Sequence, residues 1–286
     1  MKRCIRPPEP VTLAGYRQAN PQGTWEQMKD DAFNNGQQAA IDVKRALVKG
    51  QRGLCAYCER RIANGVTDVE IEASRPEQRV EHFHPKSDRT GPTNWSLHWP
   101  NMWAVCLGGT NEPPDGAPPD LDRYLPPLRQ NMSCDSFKDR QITLGALPQH
   151  TEGWILAPDD VPAFPLLFHF APDGTPEPHQ NCKAQNLPGN NHPDTATLVA
   201  KTIEHLNLAC PRLNRSRCIA KARLEKQIET LRKQAGGASP QQLLLLLARR
   251  LFAANIASPW PQFFTLIRWR LGAPAEDHLQ SINYSG

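Results

Sequence analysis

The spacing of four cysteines constrains what this chain can fold into more than any other feature of its sequence. Cys55 and Cys58 form a CxxC pair, and Cys106 and Cys134 follow it along the chain. Zinc prefers four thiolate or imidazole ligands in a tetrahedron, and a CxxC pair supplies two of them from one tight turn. The 27 residues between the other two cysteines add little closure entropy, about 0.6 kcal/mol for each doubling of loop length. We therefore predict a structural zinc ion held by all four thiolates.

Two other interpretations of the CxxC pair remain open. A redox pair would need a thioredoxin-like βαβ context, which the surrounding sequence does not show. A mixed metal site would recruit His98, His179 or Cys182 as a ligand instead. A disulfide framework is not expected, because eight cysteines in 286 residues are too few for one.

A second group of polar residues is interleaved with the cysteines: Glu81, His82 and His84 lie in one short run, and Asn101 and Asp135 follow. An adjacent carboxylate and imidazole supply a metal ligand and a general base, which are the groups that phosphodiester hydrolysis requires. Alternate residues share one face of a strand, so His82 and His84 would project together, with Glu81 opposite unless the strand ends there. Both histidines are therefore candidate bases.

The other two residues of this group have supporting roles. The Asn101 amide can hold an imidazole in one orientation through a hydrogen bond. Asp135 directly follows Cys134, so the start of a short helix would carry its carboxylate toward the metal.

Local patterns predict both helices and strands. Thr24, with Gln27 three residues later, forms a capping box that starts a helix continuing to Gly50. Alternating apolar and polar side chains predict strands at 66–71 and 79–83. Further predicted elements are a short helix at 135–140, a strand at 165–170, and helices at 194–208, 211–235, 240–257 and 261–271. The predicted start signals of these four helices are Asp194, Asn214, Ser239 and Ser258.

Proline content divides the chain into regions. Six prolines between residues 112 and 128 exclude a regular helix there and predict an inserted loop between two parts of one site. The predicted regions are an N-terminal helical segment (1–50), a zinc-stapled finger (51–145), a Pro-rich connection (146–193) and a helical C-terminal region (194–286). The expected fold class is α+β, with the finger embedded in a largely helical protein.

Composition and charge set the remaining bounds. The chain has no run of 18 apolar residues and no apolar leader at its N-terminus, so we expect a cytoplasmic protein without a membrane partner. The net charge of +4 is mild, but residues 201–233 hold nine Lys and Arg against three Glu. That run indicates either a phosphate-binding surface or a solvated helix face.

The motifs CAYC, EHFHPKS, NMWAVC and CDSFK together resemble the HNH nuclease family and its ββα-metal finger, in the variant framed by four zinc-binding cysteines. Within the family, LCAYCE and VEHFHPKS are similar to the HNH proteins of Septu and retron-associated phage defence, called PtuB. The similarity covers about residues 24–220 and includes Phe168–Phe170, Asp173–Gly174, 202–208, Leu213 and Arg217.

The resemblance implies a catalytic role for four residues. His82 would be the general base and Asn101 the residue that orients it, while Glu81 and Asp135 would hold a catalytic Mg²⁺ or Mn²⁺ ion. Asp135 replaces the final histidine of the common HNH pattern. Its oxygen suits these ions better than imidazole does, so the replacement is compatible with activity.

Three further residues are expected to contact nucleic acid. The HNH motif does not require His84, for which we expect a structural or phosphate-contact role. Lys86 and Lys138 would bind phosphates near the scissile bond, with surface solvation as the alternative.

The resemblance also implies partners. A PtuA-like ATPase would restrain the nuclease until infection, and in a retron-linked system a reverse transcriptase with its noncoding RNA–DNA would join them. The substrate would be DNA, or RNA including tRNA. The alternatives are an HNH restriction or mobile-element nuclease, and a catalytically inactive zinc-finger binding module.

Overall fold

The computed structural model of the chain describes residues 1–74, 77–109, 129–234, 237, 239–253, 255 and 258–286. The loop predicted at 112–128 lies outside these residues. Helices α1 to α10 span, in order, Val11–Ala19, Trp25–Asp30, Gly36–Gly50, Asp68–Ala73, Cys134–Thr143, Thr195–His205, Pro211–Gln234, Pro240–Leu251, Phe264–Leu271 and Ala273–Ser281. Strands β1 to β4 span Arg79–His82, Met102–Val105, Phe168–Phe170 and Pro176–Pro178. The predicted combination of helices with few strands is therefore confirmed.

The N-terminal helical segment is interrupted, whereas one continuous helix was predicted. The capping box of Thr24 and Gln27 starts α2 as expected, but α2 ends at Asp30 and α3 begins only at Gly36. Asn35 between them has a left-handed φ of 59°. A Cβ atom at position 36 would lie 2.4 Å from the carbonyl oxygen of Met28, so glycine allows the two helices to approach closely.

The strand predicted at 66–71 is wrong, because this segment forms α4. Thr67 accepts a hydrogen bond from the backbone N–H of Glu70, and the Glu70 carboxylate accepts one from the backbone N–H of Thr67. This reciprocal capping box satisfies two backbone donors and starts a helix. The capping signal outweighs the apolar alternation on which the strand prediction rested.

Two strands and the helix α5 carry the second group of polar residues. The strand predicted at 79–83 is confirmed as β1, which pairs antiparallel with β2 so that Glu81 lies opposite Trp103 and His82 opposite Met102. β2 was not predicted, because all four of its residues are buried and apolar and show no alternation. The predicted short helix is confirmed as α5, which extends to Thr143.

The connection to the C-terminal region contains a small second hairpin. β3 covers only the last three residues of the predicted strand at 165–170 and pairs antiparallel with β4. α6 and α8 begin at their predicted caps, Asp194 and Ser239. α7 begins at Pro211 rather than after Asn214, as proline is favourable in the first turn of a helix.

The start of α9 packs against the CxxC turn. The predicted start at Ser258 is wrong, since α9 begins at Phe264, and α10 was not predicted. The carboxylate of buried Glu59, next to the zinc turn, accepts hydrogen bonds from the backbone N–H and hydroxyl of Thr265. The backbone N–H of Phe263 donates to the Glu59 carbonyl at 2.9 Å. No helix among the described residues is long and apolar enough to cross a membrane.

Candidate active site and metal centre

The four predicted zinc cysteines meet at one buried point. Sγ of Cys58 lies 3.6 Å from Sγ of Cys106, and Sγ of Cys134 lies 3.9 Å from that of Cys55 and 3.8 Å from that of Cys106. A tetrahedral zinc ion with Zn–S bonds of about 2.3 Å requires sulfurs about 3.8 Å apart. The turn after α3, the end of β2 and the start of α5 thus place four sulfurs at the spacing of a zinc site.

The alternative ligands do not join this cluster. Among the described residues, the group that could hold a metal here consists of the four cysteines alone. The Cys182 thiol instead donates to the carbonyl oxygen of Leu167 at 3.3 Å. All four cysteines are free thiols rather than disulfides. A mixed site with Cys182 or a histidine is therefore not supported.

The electrostatics of the cluster favour a bound cation. Burial raises the pKa of the Cys55 and Cys134 thiols well above the usual value, whereas hydrogen bonds from Cys134 and the other two thiols lower that of Cys106. Thiolates crowded in a buried site are unstable without compensating charge. A zinc ion would provide that charge, and each of the four thiolates can serve as a ligand to it.

Arg212 is a residue of this site that the sequence prediction missed. Its side chain is buried, and it donates to the Ser133 hydroxyl at 2.7 Å and to the Asn131 carbonyl at 3.3 Å. Its positive charge interacts with Cys106 and Cys134 across the start of α5. The only sequence signal for it was the excess of basic residues from Lys201 to Lys233.

A cluster of carboxylates forms a second group, separate from the four cysteines. Oxygens of Glu81, Asp135 and Asp139 lie within 4.8 Å of one another. Asp135 and Asp139 are four residues apart on α5, so they share one face of the helix. Asp139 was not predicted, although this i, i+4 spacing was visible in the sequence. Three carboxylates at this separation form the oxygen-rich site that Mg²⁺ and Mn²⁺ prefer.

Glu81 is the buried member of the carboxylate cluster. The Tyr57 hydroxyl donates to Glu81 Oε1 at 3.0 Å, and Nζ of Lys138 lies 2.5 Å from the same oxygen. Burial and the neighbouring Asp135 raise the pKa of Glu81 well above its usual value, and Lys138 only partly opposes them. A cation between Glu81 and Asp135 would relieve this repulsion. The donor set therefore fits the predicted catalytic metal.

Lys138 is not a phosphate contact, which corrects the prediction. Its side chain has no exposed surface, and Nζ donates to the backbone carbonyls of His82 at 2.8 Å and Phe83 at 3.0 Å. Burial opposes its charge, but the Glu81 and Asp139 carboxylates outweigh that effect and raise the pKa of Lys138. Lys138 therefore fastens the end of β1 to α5.

His82 is buried and held in one tautomer. Its Nε2 lies 3.0 Å from the carbonyl oxygen of Ser96. Because a carbonyl only accepts hydrogen bonds, Nε2 carries the proton and Nδ1 retains its lone pair. Burial lowers the pKa of His82 to about 4. The imidazole is therefore neutral at ordinary pH, as a general base must be.

Asn101 does not hold the His82 ring directly, which revises the predicted contact. Its Oδ1 accepts from the backbone N–H of His84 at 2.7 Å, and its Nδ2 donates to the carbonyls of His84 and Trp95, each at 2.9 Å. Trp95 immediately precedes Ser96, whose carbonyl holds the imidazole. Asn101 therefore supports His82 indirectly, because it fixes the backbone at His84 and at Trp95, next to the Ser96 carbonyl that contacts the imidazole.

His84 is also not available to phosphate, contrary to the nucleic-acid-binding prediction. Its side chain is buried, with Nε2 2.6 Å from Asp88 Oδ2 and Nδ1 2.9 Å from Glu152 Oε1. Its ring stacks on Trp95 with 4.0 Å between centroids. Both ring nitrogens have carboxylate partners, so the structural alternative is the one that the geometry supports.

The candidate catalytic groups open onto one cleft of about 330 Å³. Glu81, His82, Asp135 and Asp139 line it, together with Lys86. Lys86 is 43% exposed and forms a 2.5 Å ion pair with Glu26. The position of Lys86 at the rim is compatible with its predicted contact with substrate phosphates. The cleft thus combines a neutral imidazole, carboxylate ligands and one accessible cation.

Comparison with known proteins identifies the family to which this chain belongs. No protein-family model matches the chain. A protein of Escherichia coli, named as an HNH endonuclease of retron Ec83, is 35% identical over 223 residues, or 76% of this chain and 78% of the relative. The chain belongs to the HNH endonuclease family. The predicted family and the endonuclease class are thereby confirmed, while the PtuB grouping remains a prediction and the retron belongs to the relative's name.

The site has two parts, the four cysteines and the groups that line the cleft. The shared region is long enough to include both the zinc frame and the cleft, and the endonuclease class requires a base and a metal in one place. His82 and the carboxylate cluster are the groups with that chemistry in the cleft. The cysteines lie beneath them as the anchor of α5.

Proposed function

We propose that this protein hydrolyses phosphodiester bonds of nucleic acid in a metal-dependent reaction at the 330 Å³ cleft. The observation that carries the proposal is that His82, with an unprotonated Nδ1, and three carboxylates line one cleft. A neutral base beside an oxygen-rich metal site is the combination that in-line attack of water on phosphorus requires.

In this proposal His82 is the general base. The Ser96 carbonyl accepts a hydrogen bond from Nε2–H, so Nδ1 would be the nitrogen that accepts a proton from water. When His82 becomes an imidazolium during the reaction, the Ser96 carbonyl and the nearby Asp135 carboxylate stabilise its charge. Asn101 keeps the imidazole in position through the backbone of the Trp95 segment.

Glu81 and Asp135 would hold the catalytic Mg²⁺ or Mn²⁺, with Asp139 as a third oxygen donor. An ion held by these residues would supply positive charge that stabilises the negative charge developing during phosphodiester hydrolysis. Tyr57 and Lys138 both contact Oε1 of the Glu81 carboxylate, so Oε2 would be the oxygen that it offers to the metal. The zinc would be structural, because four protein thiolates fill its coordination sphere.

The biological setting is proposed from the relative. Its name places it in a retron, and we propose that this chain likewise acts in anti-phage defence with a PtuA-like ATPase. The ATPase would restrain the nuclease, and a reverse transcriptase with its noncoding RNA–DNA would complete a retron-linked assembly. The substrate would be DNA or RNA, because the described lining of the cleft includes a cation that can contact phosphate in either.

The decisive experiment compares cleavage of plasmid DNA and of tRNA by the parent protein and by His82→Ala. Both are assayed with Mg²⁺ in the absence of the PtuA-like ATPase, because the ATPase would restrain the nuclease, and then again with it. We expect His82→Ala to lose cleavage and to keep zinc content and the unfolding midpoint. His169→Ala is the matched control, because His169 pairs with Glu177 on β4 outside the cleft. Cleavage retained by His82→Ala refutes the base assignment, and absence of metal-dependent cleavage by the parent refutes the function.

A further inference from the structure

We propose that a second cleft, enclosed by α2, α3, α4 and β1, binds the sugar–phosphate backbone of the substrate beside the catalytic cleft. This inference rests on the proposed function. The cleft has a volume of about 520 Å³ and is formed largely by the N-terminal helices rather than by the zinc-anchored part of the chain. The substrate would therefore be held mainly by side chains other than the reacting groups, with Asp135 at the border between the two clefts.

The charge of this cleft favours an anionic ligand. Its lining includes two acidic residues, Glu72 and Asp135. The cationic residues that line it are Lys29, Lys44, Arg45, Arg79 and Lys86. Asp135 is assigned to the catalytic metal, so Glu72 is the remaining carboxylate. Several cations along one groove are the electrostatic feature by which proteins track a phosphate backbone.

The sequence of α3 explains how two of these cations, Lys44 and Arg45, come to line the cleft. The residues of α3 that line the cleft recur at intervals of three and four positions, at 37, 40, 41, 44 and 45. Such residues lie on one face of a helix. Ala40 and Ile41 form an apolar floor, and Lys44 and Arg45 stand one turn further along. Long basic side chains beside an apolar floor extend their charged ends toward a ligand.

The second cleft is continuous with the catalytic cleft. Val80, Lys86 and Asp135 line both of them. A phosphodiester strand that passes the metal ligands therefore has adjacent phosphates within reach of the cations that line the second cleft. This continuity also answers an electrostatic problem, since the carboxylate cluster repels phosphate and binding energy must come from neighbouring positions.

The ion pairs of the cleft do not prevent such binding. Lys86 pairs with Glu26 at 2.5 Å, and Arg45 lies 3.9 Å from Glu72, but these side chains are all at least 31% exposed. Exposed ion pairs contribute only about 0–1 kcal/mol. Phosphates of a bound strand can replace the carboxylate partners at little cost. Lys29, on the outer turn of α2, is exposed and adds a cation at the entrance.

The test is salt-dependent binding in the catalytically silenced His82→Ala protein. Fluorescence anisotropy with a labelled 30-mer duplex DNA, the matching single-stranded DNA and the matching RNA is measured between 50 and 200 mM salt. The cleft variant is Lys29→Ala with Lys44→Ala. The matched control is Arg249→Ala with Arg250→Ala, which removes the same charge from exposed positions of α8, outside the basic run at 201–233. Zinc content and unfolding midpoints establish that each variant is folded.

For the form of nucleic acid that binds, we expect the cleft variant to raise Kd about tenfold or more at 100 mM salt. The slope of log K against log salt should become shallower by about 1.5 to 2, which corresponds to two lost phosphate contacts. The control should change neither quantity. Equal affinities and slopes in parent and cleft variant would overturn the inference, and so would an equal loss in the control.

The result separates this inference from the proposed function. If the protein with His82 restored cleaves and the cleft variant still binds normally, only the cleft assignment fails. If no metal-dependent cleavage occurs with any nucleic acid, the function itself fails, whatever the binding data show.

Discussion

Replacement of His82 by glutamine should remove a specific part of the acid sensitivity of this protein. The imidazole has an ordinary pKa of 6.5, and burial lowers it to about 4 in the folded chain. A histidine with a lowered folded-state pKa stabilises the fold above pH 6.5, and this contribution is lost as the pH falls toward 4. Glutamine retains an amide donor for the Ser96 carbonyl but does not titrate.

The expected magnitude follows from these two pKa values. At pH 5 the unfolded chain is almost fully protonated at this site and the folded chain is almost fully neutral. The difference lowers the free energy of unfolding of the parent by about 2 kcal/mol relative to pH 7.5, and His82→Gln should lack this loss. Carboxylates and zinc thiolates titrate in both proteins alike, so they cancel when the two proteins are compared.

The assay is urea unfolding at pH 7.5 and pH 5 with the parent, His82→Gln and, as a control, His169→Gln. The control should follow the parent. A loss of free energy between the two pH values that is the same in the parent and in His82→Gln would refute the claim that His82 is buried as a neutral imidazole. The same burial predicts that protonation of His82 does not limit cleavage in the ordinary pH range of histidine, because its pKa is lowered to about 4.

Three further predictions concern the other parts of the site. Cys58→Ser should lose the bound zinc and become sensitive to limited proteolysis near the CxxC turn; zinc stoichiometry equal to that of the parent would contradict the four-thiolate site. Lys138→Met should lower the free energy of unfolding by about 3 to 5 kcal/mol, because it leaves Glu81 buried without its partner. A change below about 1 kcal/mol in urea unfolding would place Lys138 among solvated surface residues. Asp139→Asn should raise the Mg²⁺ concentration for half-maximal cleavage about tenfold, and an unchanged requirement would remove Asp139 from the metal site.

Local signals in the sequence predicted several elements because the relevant chemistry lies within a few residues. The caps at Thr24, Asp194 and Ser239 each satisfy backbone donors within one turn, so their helices start where they were predicted. The same reasoning applied to Thr67 would have identified α4, and the error there came from preferring an apolar alternation to a capping box. The break before Gly36 depended on the approach of Met28 from the preceding helix, which no local pattern reveals.

The sequence by itself predicted the four cysteines, Glu81, His82 and Asp135 as candidate site residues, because residue identity and order limit which chemistry is possible. It did not predict Asp139 or Arg212. Tertiary structure decided the partners of the predicted residues. Ser96, and not Asn101, holds the imidazole, and Lys138 is buried against Glu81 instead of facing phosphate. The physical reason is that tautomer, pKa and accessibility are set by burial and by groups distant along the chain, which only the folded packing brings together.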